Sequence, residues 1–329
     1  SLGWVISNES FMDNLRNNGI ISNLKLRASV GKVGNDGLGS TRFLYLDNID
    51  LQYHTSHIPS LGNGGKIYER MVGNKNIHWE VAWKQNYAVD LTLFDDLDLT
   101  FDYFIEDRSD ILIERNTVPA ISGLTSSQLP RVNMGEIKNK GYEITLDYNT
   151  DITRDLNINF GGNFSYARNK VISADEAVLS SDYAYRYRET GFSLGQNWGY
   201  IIDHTVDPEH GKDGSGFFNS KEDVINSGLT YETGGGIPQP GDFIYKDLNG
   251  DHIINEKDMA PIKYSSLVPR ISYGFHIGAS YKGFDFSVMF QGVGQYSKYY
   301  SGRGIFEEEG SKYYLDICDN RWNEERYAN

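Results

Sequence analysis

The clearest candidate for metal chemistry in this chain is the segment of residues 247–258, which reads DLNGDHIINEKD. Side-chain oxygens at positions 1, 3, 5, 9 and 12, with a backbone carbonyl at position 7, are typical of the twelve-residue calcium loop of EF-hand and dockerin type. The residues at these positions are Asp247, Asn249, Asp251, Ile253 (through its carbonyl), Asn255 and Asp258. We therefore expect a structural Ca²⁺ in this segment, with Asn255 bound directly or through water.

Two residues depart from the calcium-loop pattern. His252 occupies position 6, where glycine normally allows the sharp turn, and Asp258 replaces the usual glutamate at position 12. Histidine visits positive φ more often than most non-glycine residues, so the turn remains accessible. Ile254 supplies the apolar anchor of the loop. The alternative interpretation is an Asn/Asp/Gly-rich turn that binds no metal.

The elements that would position this loop are unusually long segments in which apolar and polar residues alternate. In residues 156–170, Leu156, Ile158, Phe160, Phe164 and Tyr166 alternate with polar residues, and residues 142–149 repeat the scheme. Strands of globular proteins run to about 5–6 residues, whereas a tilted strand that crosses a bilayer needs about 9–11. The pattern predicts an all-β fold, an antiparallel transmembrane β-barrel. The residues expected to face lipid are Phe160, Phe164, Ile144 and Leu146, and those expected to face the lumen are Asn159, Asn163, Glu143 and Thr145.

The connections between the predicted strands alternate between short and long. The short ones are residues 95–96, 150–155 and 282–283; the long ones are residues 34–78, 114–140 and 171–269. Membrane barrels have short periplasmic turns and longer extracellular loops. We therefore expect residues 171–269 to form a long extracellular segment, with few apolar anchors of its own. About eight strands are recognisable, which predicts that residues 1–329 are part of a larger barrel, because a barrel in lipid must close.

Composition excludes several classes of protein. A net charge of −14 argues against a nucleic-acid partner. No run approaches the roughly 18 apolar residues of a membrane helix, so any insertion into a bilayer must use strands. The 23 Tyr, 16 Phe and 5 Trp suit aromatic girdles, but they also suit glycan-binding β-proteins. A single cysteine, Cys318, excludes an intrachain disulfide.

Four blocks of the sequence carry a family resemblance. Residues 24–36 (LKLRASVGKVGND), 74–96, 132–149 and 241–258 (GDFIYKDLNGDHIINEKD) resemble consecutive blocks of the SusC/RagA family, and residues 1–12 and 191–203 fit as well. This family comprises TonB-dependent outer-membrane transporters of the Bacteroidetes type. The resemblance implies part of a plugged barrel of about 22 strands in the Gram-negative outer membrane. It also implies a SusD-like surface lipoprotein as partner, and TonB acting through a plug and TonB box outside this chain.

Alternating tyrosines mark a second candidate site. Tyr183, Tyr185 and Tyr187 are separated by small or basic residues, and Trp198 follows shortly after. They could form the aromatic rim of a strand at the lipid interface, the interpretation we favour because girdles are expected in such a barrel. They could instead provide a stacking and hydrogen-bonding surface for a sugar, a peptide or the partner lipoprotein.

Two functions are consistent with the sequence, and neither is enzymatic. No Ser/His/Asp signature occurs, and with 45 acidic residues carboxylate pairs arise by chance. The first function is TonB-dependent import of oligosaccharides or oligopeptides across the outer membrane. The alternative is a soluble or surface β-sandwich that binds glycans and carries a calcium loop, because a sandwich shows the same alternation. Strand length and loop asymmetry favour the importer.

Overall fold

The structure is a computed structural model that describes residues 1–37, 42–50, 68–177, 179–183, 188–232, 236–300, 314, 316, 319 and 321–323. The chain divides into two compact units. The wall unit comprises residues 1–177, 189–194 and 269–295, and the insertion unit comprises residues 178–188, 195–268 and 296–329. Among the described residues, no helix is both long and apolar enough to cross a membrane.

The wall unit is built on one antiparallel sheet of eight strands, in agreement with the predicted number. The strands are β1 (Leu2–Val5), β2 (Ile21–Asn35), β3 (Glu80–Leu93), β4 (Leu97–Ile113), β5 (Val132–Thr153), β6 (Leu156–Ser173), β7 (Ile271–Tyr281) and β8 (Phe284–Gly294). Each strand pairs with the next one in this order, so the sheet is an up-and-down meander. The predicted all-β, antiparallel fold is confirmed.

The register of the sheet separates an apolar face from a polar face. Directly opposed residues lie on the same face, and one such row runs through Phe101, Ile144, Phe164 and Tyr273. The adjacent row runs through Thr100, Thr145, Asn163 and Gly274. The rings of Tyr142 and Phe164 stack with centroids 6.0 Å apart on the apolar face. The predicted division of these residues between two faces is confirmed.

The short turns lie together at one end of the sheet, as the alternation of connection lengths predicts. The Asn149 N–H donates to the Asp96 carbonyl at 3.0 Å, and the Lys282 N–H donates to the Asp155 carbonyl at 3.1 Å. The connection from β1 to β2 reaches the same end, because Phe94 N–H donates to the carbonyl of Ile20. That connection contains two 3₁₀ turns, Ile6–Asn8 and Ser10–Met12, and the short helix α1 (Asp13–Asn17).

The opposite end of the sheet differs from the prediction in one strand boundary. Residues 114–140 were expected to form a link, but β5 already begins at Val132, so only residues 114–131 connect β4 to β5. This link contains the 3₁₀ turns Ala120–Ser122 and Ser126–Gln128. A small hairpin of Asn48–Asp50 and Tyr68–Met71 lies between β2 and β3 in the chain.

The insertion unit has a hydrophobic core of its own, so the expectation of few apolar anchors in this segment is wrong. The core consists of Phe218, Val224, Leu229, Ile244 and Ile254, with Phe218 fully buried. Helix α2 (Lys221–Ser227) contributes to it, and the residue before the helix, Ser220, forms a capping box with Asp223. The remaining elements are short: Gln196–Gly199 pairs with Ala260–Ser265, Val206–Asp207 with Lys212–Asp213, and Thr230–Tyr231 with Ile253–Ile254. The 3₁₀ turns are Pro208–His210 and Glu256–Asp258.

Candidate functional site

The oxygen-rich loop, residues 247–258, is closed by its own first carboxylate. Asp247 Oδ1 accepts the Gly250 N–H at 2.7 Å, and Asp247 Oδ2 accepts the His252 N–H at 2.8 Å. His252 adopts φ of +61°, the left-handed conformation that its place in the calcium-loop pattern requires. Histidine at this position is therefore compatible with the turn, as the sequence suggested.

The middle of the loop is held by a second pair of polar side chains. Asn249 Oδ1 accepts the Asp251 N–H at 3.1 Å, and Asp251 Oδ1 accepts the Ile253 N–H at 2.8 Å. The bond from Ile253, helped by the Asn249 side-chain amide, lowers the pKa of Asp251 below its usual range. Asp251 is therefore present as the carboxylate, the form in which it could bind a cation.

The end of the loop is buried. Asn255 caps the 3₁₀ turn Glu256–Asp258, and Asp258 Oδ2 accepts the Asn255 N–H at 2.9 Å. Asp258 is fully buried, and its Oδ1 accepts the Leu248 N–H at 2.9 Å, which ties the end of the loop to its start. Ile254, the expected apolar anchor, lies in the core of the insertion unit with 2% of its surface exposed. The loop is therefore fixed at both ends.

The ligand set expected for calcium is compatible with this backbone. The carbonyls of His252 and Ile254 accept N–H groups of Thr230 and Glu232. Successive carbonyls of a strand point in opposite directions, so the Ile253 carbonyl points away from that neighbour. However, no group of three or more His, Cys, Asp or Glu side chains among the described residues is arranged to hold a metal. The bonds found here also suit a turn without metal, and calcium at Asp247, Asn249, Asp251, Ile253, Asn255 and Asp258 stays a prediction.

Of the aromatic candidates, the two that the structure describes, Tyr183 and Trp198, do not lie on a wall strand. Tyr183 follows β6 by several residues and belongs to the insertion unit, so the strand-rim interpretation is wrong for this residue. Its hydroxyl donates to Glu256 Oε1 at 2.6 Å, and this bond raises the pKa of Tyr183. Trp198 lies in the short strand Gln196–Gly199 opposite Pro261. Tyr185 and Tyr187 lie outside the described residues, and substrate or partner contact by all four aromatic residues stays a prediction.

An aromatic cluster lies beside the oxygen-rich loop; the sequence singles out its member Tyr200, which has the same two interpretations as Trp198, but not Tyr231 or Tyr245. The ring of Tyr245 lies 5.2 Å from that of Tyr200 and 5.8 Å from that of Tyr231, measured between centroids. Burial raises the pKa of Tyr245. The available signal was proximity in sequence, since Tyr245 precedes Asp247 by two residues.

A polar cleft opens next to this cluster in the insertion unit. Asp203 lies in its wall, where Asp203 Oδ2 accepts the Lys212 Nζ at 2.8 Å and Asp203 Oδ1 accepts the Thr205 hydroxyl at 2.9 Å. Burial raises the pKa of Asp203, but these bonds outweigh burial, and its pKa lies below the usual range. The cleft therefore contains an ion pair of Asp203 and Lys212, in which the two opposite charges neutralise each other.

In the wall unit, the polar face carries charges that pair across strands. The Arg27 guanidinium of β2 binds Asp90 of β3 through two bonds of 2.7 and 2.8 Å, and it lies 3.5 Å from Asp102 of β4. Farther along the same face, Arg108 binds Glu106 at 2.8 Å and Glu80 at 3.1 Å. Bidentate arginine–carboxylate geometry fixes side chains on a surface that water can reach.

Comparison with known proteins identifies relatives over almost the whole chain. Residues 10–324 match the family described as "TonB dependent receptor-like, beta-barrel". TonB-dependent receptor P39 of Formosa agariphila is 29% identical over 308 residues, which cover 88% of this chain and 28% of the relative. TonB-dependent receptor P26 of the same organism is 30% identical over 331 residues, covering 98% and 30%. TonB-dependent receptor SusC of Bacteroides thetaiotaomicron is 24% identical over 292 residues, covering 87% and 26%.

Solved structures with the same fold include the RagAB peptide transporter. That structure matches with a TM-score of 0.66 at 19% identity, covering 99% of this chain and 32% of the other. The RagAB peptide importer in the "closed-closed" state matches with a TM-score of 0.58 at 20% identity, covering 89% and 28%. The chain thus spans less than a third of the length of these relatives.

Proposed function

The chain belongs to the TonB-dependent receptor-like β-barrel family, and from that premise we propose that it forms part of the wall of an outer-membrane importer of large nutrients. The observation that carries the proposal is the eight-stranded meander with one apolar and one polar face. Strands β2 to β8 have 11–22 residues and so reach or exceed the roughly 9–11 residues needed to cross a bilayer. The apolar face would contact lipid and the polar face a wet lumen.

The exposure of the apolar face supports a lipid environment over an aqueous one. Phe284, Phe286 and Phe290 expose 81%, 65% and 51% of their surface, and they lie at the end of a continuous apolar face. Soluble proteins rarely expose contiguous apolar patches larger than a few hundred Å². The sandwich alternative also needs a second sheet over this face, and among the described residues the wall strands form a single sheet.

Transport in this proposal involves no making or breaking of covalent bonds. A SusD-like lipoprotein would close over the outer loops, and TonB would act on a plug from the inner side. The cargo is an oligosaccharide or an oligopeptide. A peptide cargo is supported by the shared fold with the RagAB peptide importer, and the 44 aromatic residues suit either cargo (23 Tyr, 16 Phe and 5 Trp).

We further propose that the oxygen-rich loop holds a structural Ca²⁺ on the extracellular side. All its side-chain ligands are hard oxygen donors, which calcium prefers. Calcium outside the cell reaches millimolar levels, so a weak site of the extracellular kind could fill. The ion would stiffen the insertion unit near a docking surface for the lipoprotein.

Uptake by cells tests the proposed function. The gene is deleted and restored in its host, and the uptake of labelled oligosaccharide and oligopeptide pools is measured with and without functional TonB. We expect deletion and TonB loss to abolish uptake of one pool, and the restored gene to recover it. Unchanged uptake of both pools after deletion would contradict the proposal.

A further inference from the structure

A row of four tyrosines crosses the apolar face of the wall unit. The strand pairing places each tyrosine directly opposite the next, so all four lie on one face and at one level of the sheet. Tyrosine is enriched where a bilayer meets water, because its ring is apolar and its hydroxyl is polar. The row therefore marks one boundary of the band that we propose contacts lipid. It consists of Tyr87 of β3, Tyr103 of β4, Tyr142 of β5 and Tyr166 of β6.

Four basic residues lie on the same face just beyond this row, on the side away from the short turns. Lys140 of β5 is opposite Arg168 of β6, and Lys138 is opposite Lys170. Alternate residues of a strand share a face, so these two pairs continue the face of Tyr142. The first pair lies two residues beyond the tyrosine row, which is about 7 Å along the strand. All four side chains are exposed, and together they form the cation cluster.

Acidic side chains neutralise the cation cluster only in part. Asp107 of β4 lies on the same face and binds Lys138, with an Nζ–Oδ1 distance of 3.3 Å. Glu136 precedes Lys138 by two residues on β5, so four cations face two carboxylates. Within the described part of the chain, the side chains of Lys140, Arg168 and Lys170 form no hydrogen bond or salt bridge. These three cations remain for a ligand.

The pairing of like charges favours an anion between them. Directly opposed residues of antiparallel strands have Cβ atoms about 4.5–5.5 Å apart, and like charges in that position destabilise the sheet. Basic side chains that only extend from the membrane into water would reach it equally well if they were placed apart. A phosphate relieves the repulsion, because its oxygens accept charge-assisted hydrogen bonds from arginine and from lysine at the same time.

We propose that the cation cluster binds a phosphate of the phosphorylated glycolipid, lipopolysaccharide, in the outer leaflet of the outer membrane. The inference rests on the proposed function, because the apolar face must contact lipid and the short turns must be periplasmic. In that orientation the cluster lies at the level of the outer-leaflet headgroups, where the phosphates of lipid A are located. The rings of Tyr142 and Tyr166, with centroids 5.6 Å apart, offer an apolar surface to the acyl chains next to the cluster.

Binding to the intact protein purified in detergent tests the inference. Microscale thermophoresis compares three probes: diphosphoryl lipid A, lipid A from which the phosphates have been removed, and inorganic phosphate. We expect diphosphoryl lipid A to bind at least about tenfold more tightly than the dephosphorylated lipid, which is the scale of one charge-assisted hydrogen bond. Equal binding of the two lipids would overturn the inference. Inorganic phosphate that binds as tightly as diphosphoryl lipid A would also overturn it, because the cluster would then be a site for soluble anions.

Variants assign the preference for phosphate to the cation cluster. Lys140→Gln combined with Arg168→Gln should remove most of the preference, and the exchange of Lys140→Arg with Arg168→Lys should retain it. Arg154→Gln combined with Lys282→Gln is the matched control, because it removes one arginine and one lysine from exposed turns at the opposite end of the wall unit. An unchanged preference in the Lys140 and Arg168 variant, or an equal loss in the control, would contradict the inference.

Thermal unfolding shows whether the double variant acts through the fold. In detergent without lipid A, the variant of Lys140 and Arg168 to Gln should unfold at the same temperature as the unmodified protein or slightly higher, because it removes like-charge repulsion. A lower unfolding temperature would show that these cations stabilise the sheet without a ligand, which contradicts the inference. Uptake by cells separates the two proposals: normal uptake without a preference for phosphate refutes only the lipid site, and the preference without uptake refutes only the importer.

Discussion

At the scale of single residues, the carboxylates of the oxygen-rich loop stabilise its backbone even without a metal. Asp247 and Asp258 each accept two backbone N–H groups that would otherwise be unpaired. A carboxylate has about four lone-pair directions, so two remain on each side chain for a cation. The turn and the calcium site are therefore compatible, and calcium would add to the hydrogen bonds rather than replace them.

The first prediction concerns this loop. Replacing Asp247 and Asp251 together by Ala should make the insertion unit more sensitive to a protease, because the double variant loses hydrogen bonds and two expected calcium ligands. The wall strands should stay folded, since neither residue belongs to the wall unit. Limited proteolysis followed by mass spectrometry measures the rate and the position of cleavage.

Calcium separates the two roles of the loop. Millimolar calcium should slow cleavage of the unmodified protein and leave the double variant unchanged. Glu222→Ala serves as the control, because Glu222 is an exposed acidic residue of the same unit in helix α2. If neither calcium nor a chelator changes the rate at which the unmodified protein is cleaved, the loop is a turn that binds no metal.

The second prediction concerns Asp175, which organises the link between β4 and β5. Its carboxylate accepts the Asn116 N–H at 2.8 Å and the Thr117 hydroxyl at 2.6 Å. Burial raises the pKa of Asp175, but these bonds outweigh burial and hold the pKa below its usual range. Asp175→Asn should therefore destabilise the link by about 1–3 kcal/mol, because a buried hydrogen-bond acceptor is lost.

Hydrogen exchange at the amides of Asn116 and Thr117 measures this effect. Because the folded pKa is lowered, the stabilisation is present above the unfolded value of about 3.9, and it is lost as the pH falls through the lower folded value. Glu114→Gln is the control, since that side chain is 68% exposed and pairs only at the surface with Arg131. Equal exchange in the two variants would show that Asp175 does not hold the link.

At the scale of elements, the sequence predicted most strand ends at the short turns, although β5 continues to Thr153 where a turn of residues 150–155 was expected. The opposite end of the sheet was predicted poorly. The boundaries of β4 and β8 are as predicted, because Asp- and Gly-containing turns adjoin them. β5 begins nine residues before the expected Gly141. Residues 132–140 read VNMGEIKNK, without apolar alternation, although Val132 pairs with Ile113. Beyond the part of a barrel strand that contacts lipid, both faces of the strand are polar. The sequence therefore shows no apolar–polar alternation there, although the strand still pairs with its neighbour.

The insertion unit shows a second limit of sequence patterns. Its core residues Phe218, Val224, Leu229, Ile244 and Ile254 come one or two at a time from a helix, a loop and short strands. No window of sequence therefore contains a period that reveals them. The spacing of oxygen ligands in the oxygen-rich loop, by contrast, is local, and the structure places its anchor Ile254 in the core as expected.

The third prediction tests the two faces of the wall. Phe164→Arg should destabilise the protein in lipid by about 2–4 kcal/mol, because a charge would enter the hydrocarbon near the midplane. Asn163→Arg, one residue away on the polar face, should cost far less. Urea unfolding in lipid vesicles, followed by tryptophan fluorescence, measures both. Equal destabilisation by the two variants would show that the apolar face does not contact lipid.

At the scale of the whole molecule, the lengths of the connections indicate which end of the wall is periplasmic and which is extracellular. The three short turns share one end of the sheet, and the strand ends that adjoin the long connections lie at the other: Asn35, Glu80, Ile113, Val132, Ser173 and Ile271. In membrane barrels the short turns are periplasmic and the long loops extracellular. The long connections would then meet nutrients first.

The last prediction measures this direction in living cells. Cys318, the single native cysteine, is replaced by Ser, and one new cysteine is introduced at Ile121 or at Arg154. Ile121 lies in the link between β4 and β5 with 97% of its surface exposed, and Arg154 lies in the exposed turn between β5 and β6. A maleimide that does not cross membranes should label Ile121→Cys in intact cells, and it should label Arg154→Cys only after the outer membrane is permeabilised. Because both positions belong to the wall unit, the reverse pattern would invert the proposed orientation, and labelling of both in intact cells would contradict a membrane-spanning wall.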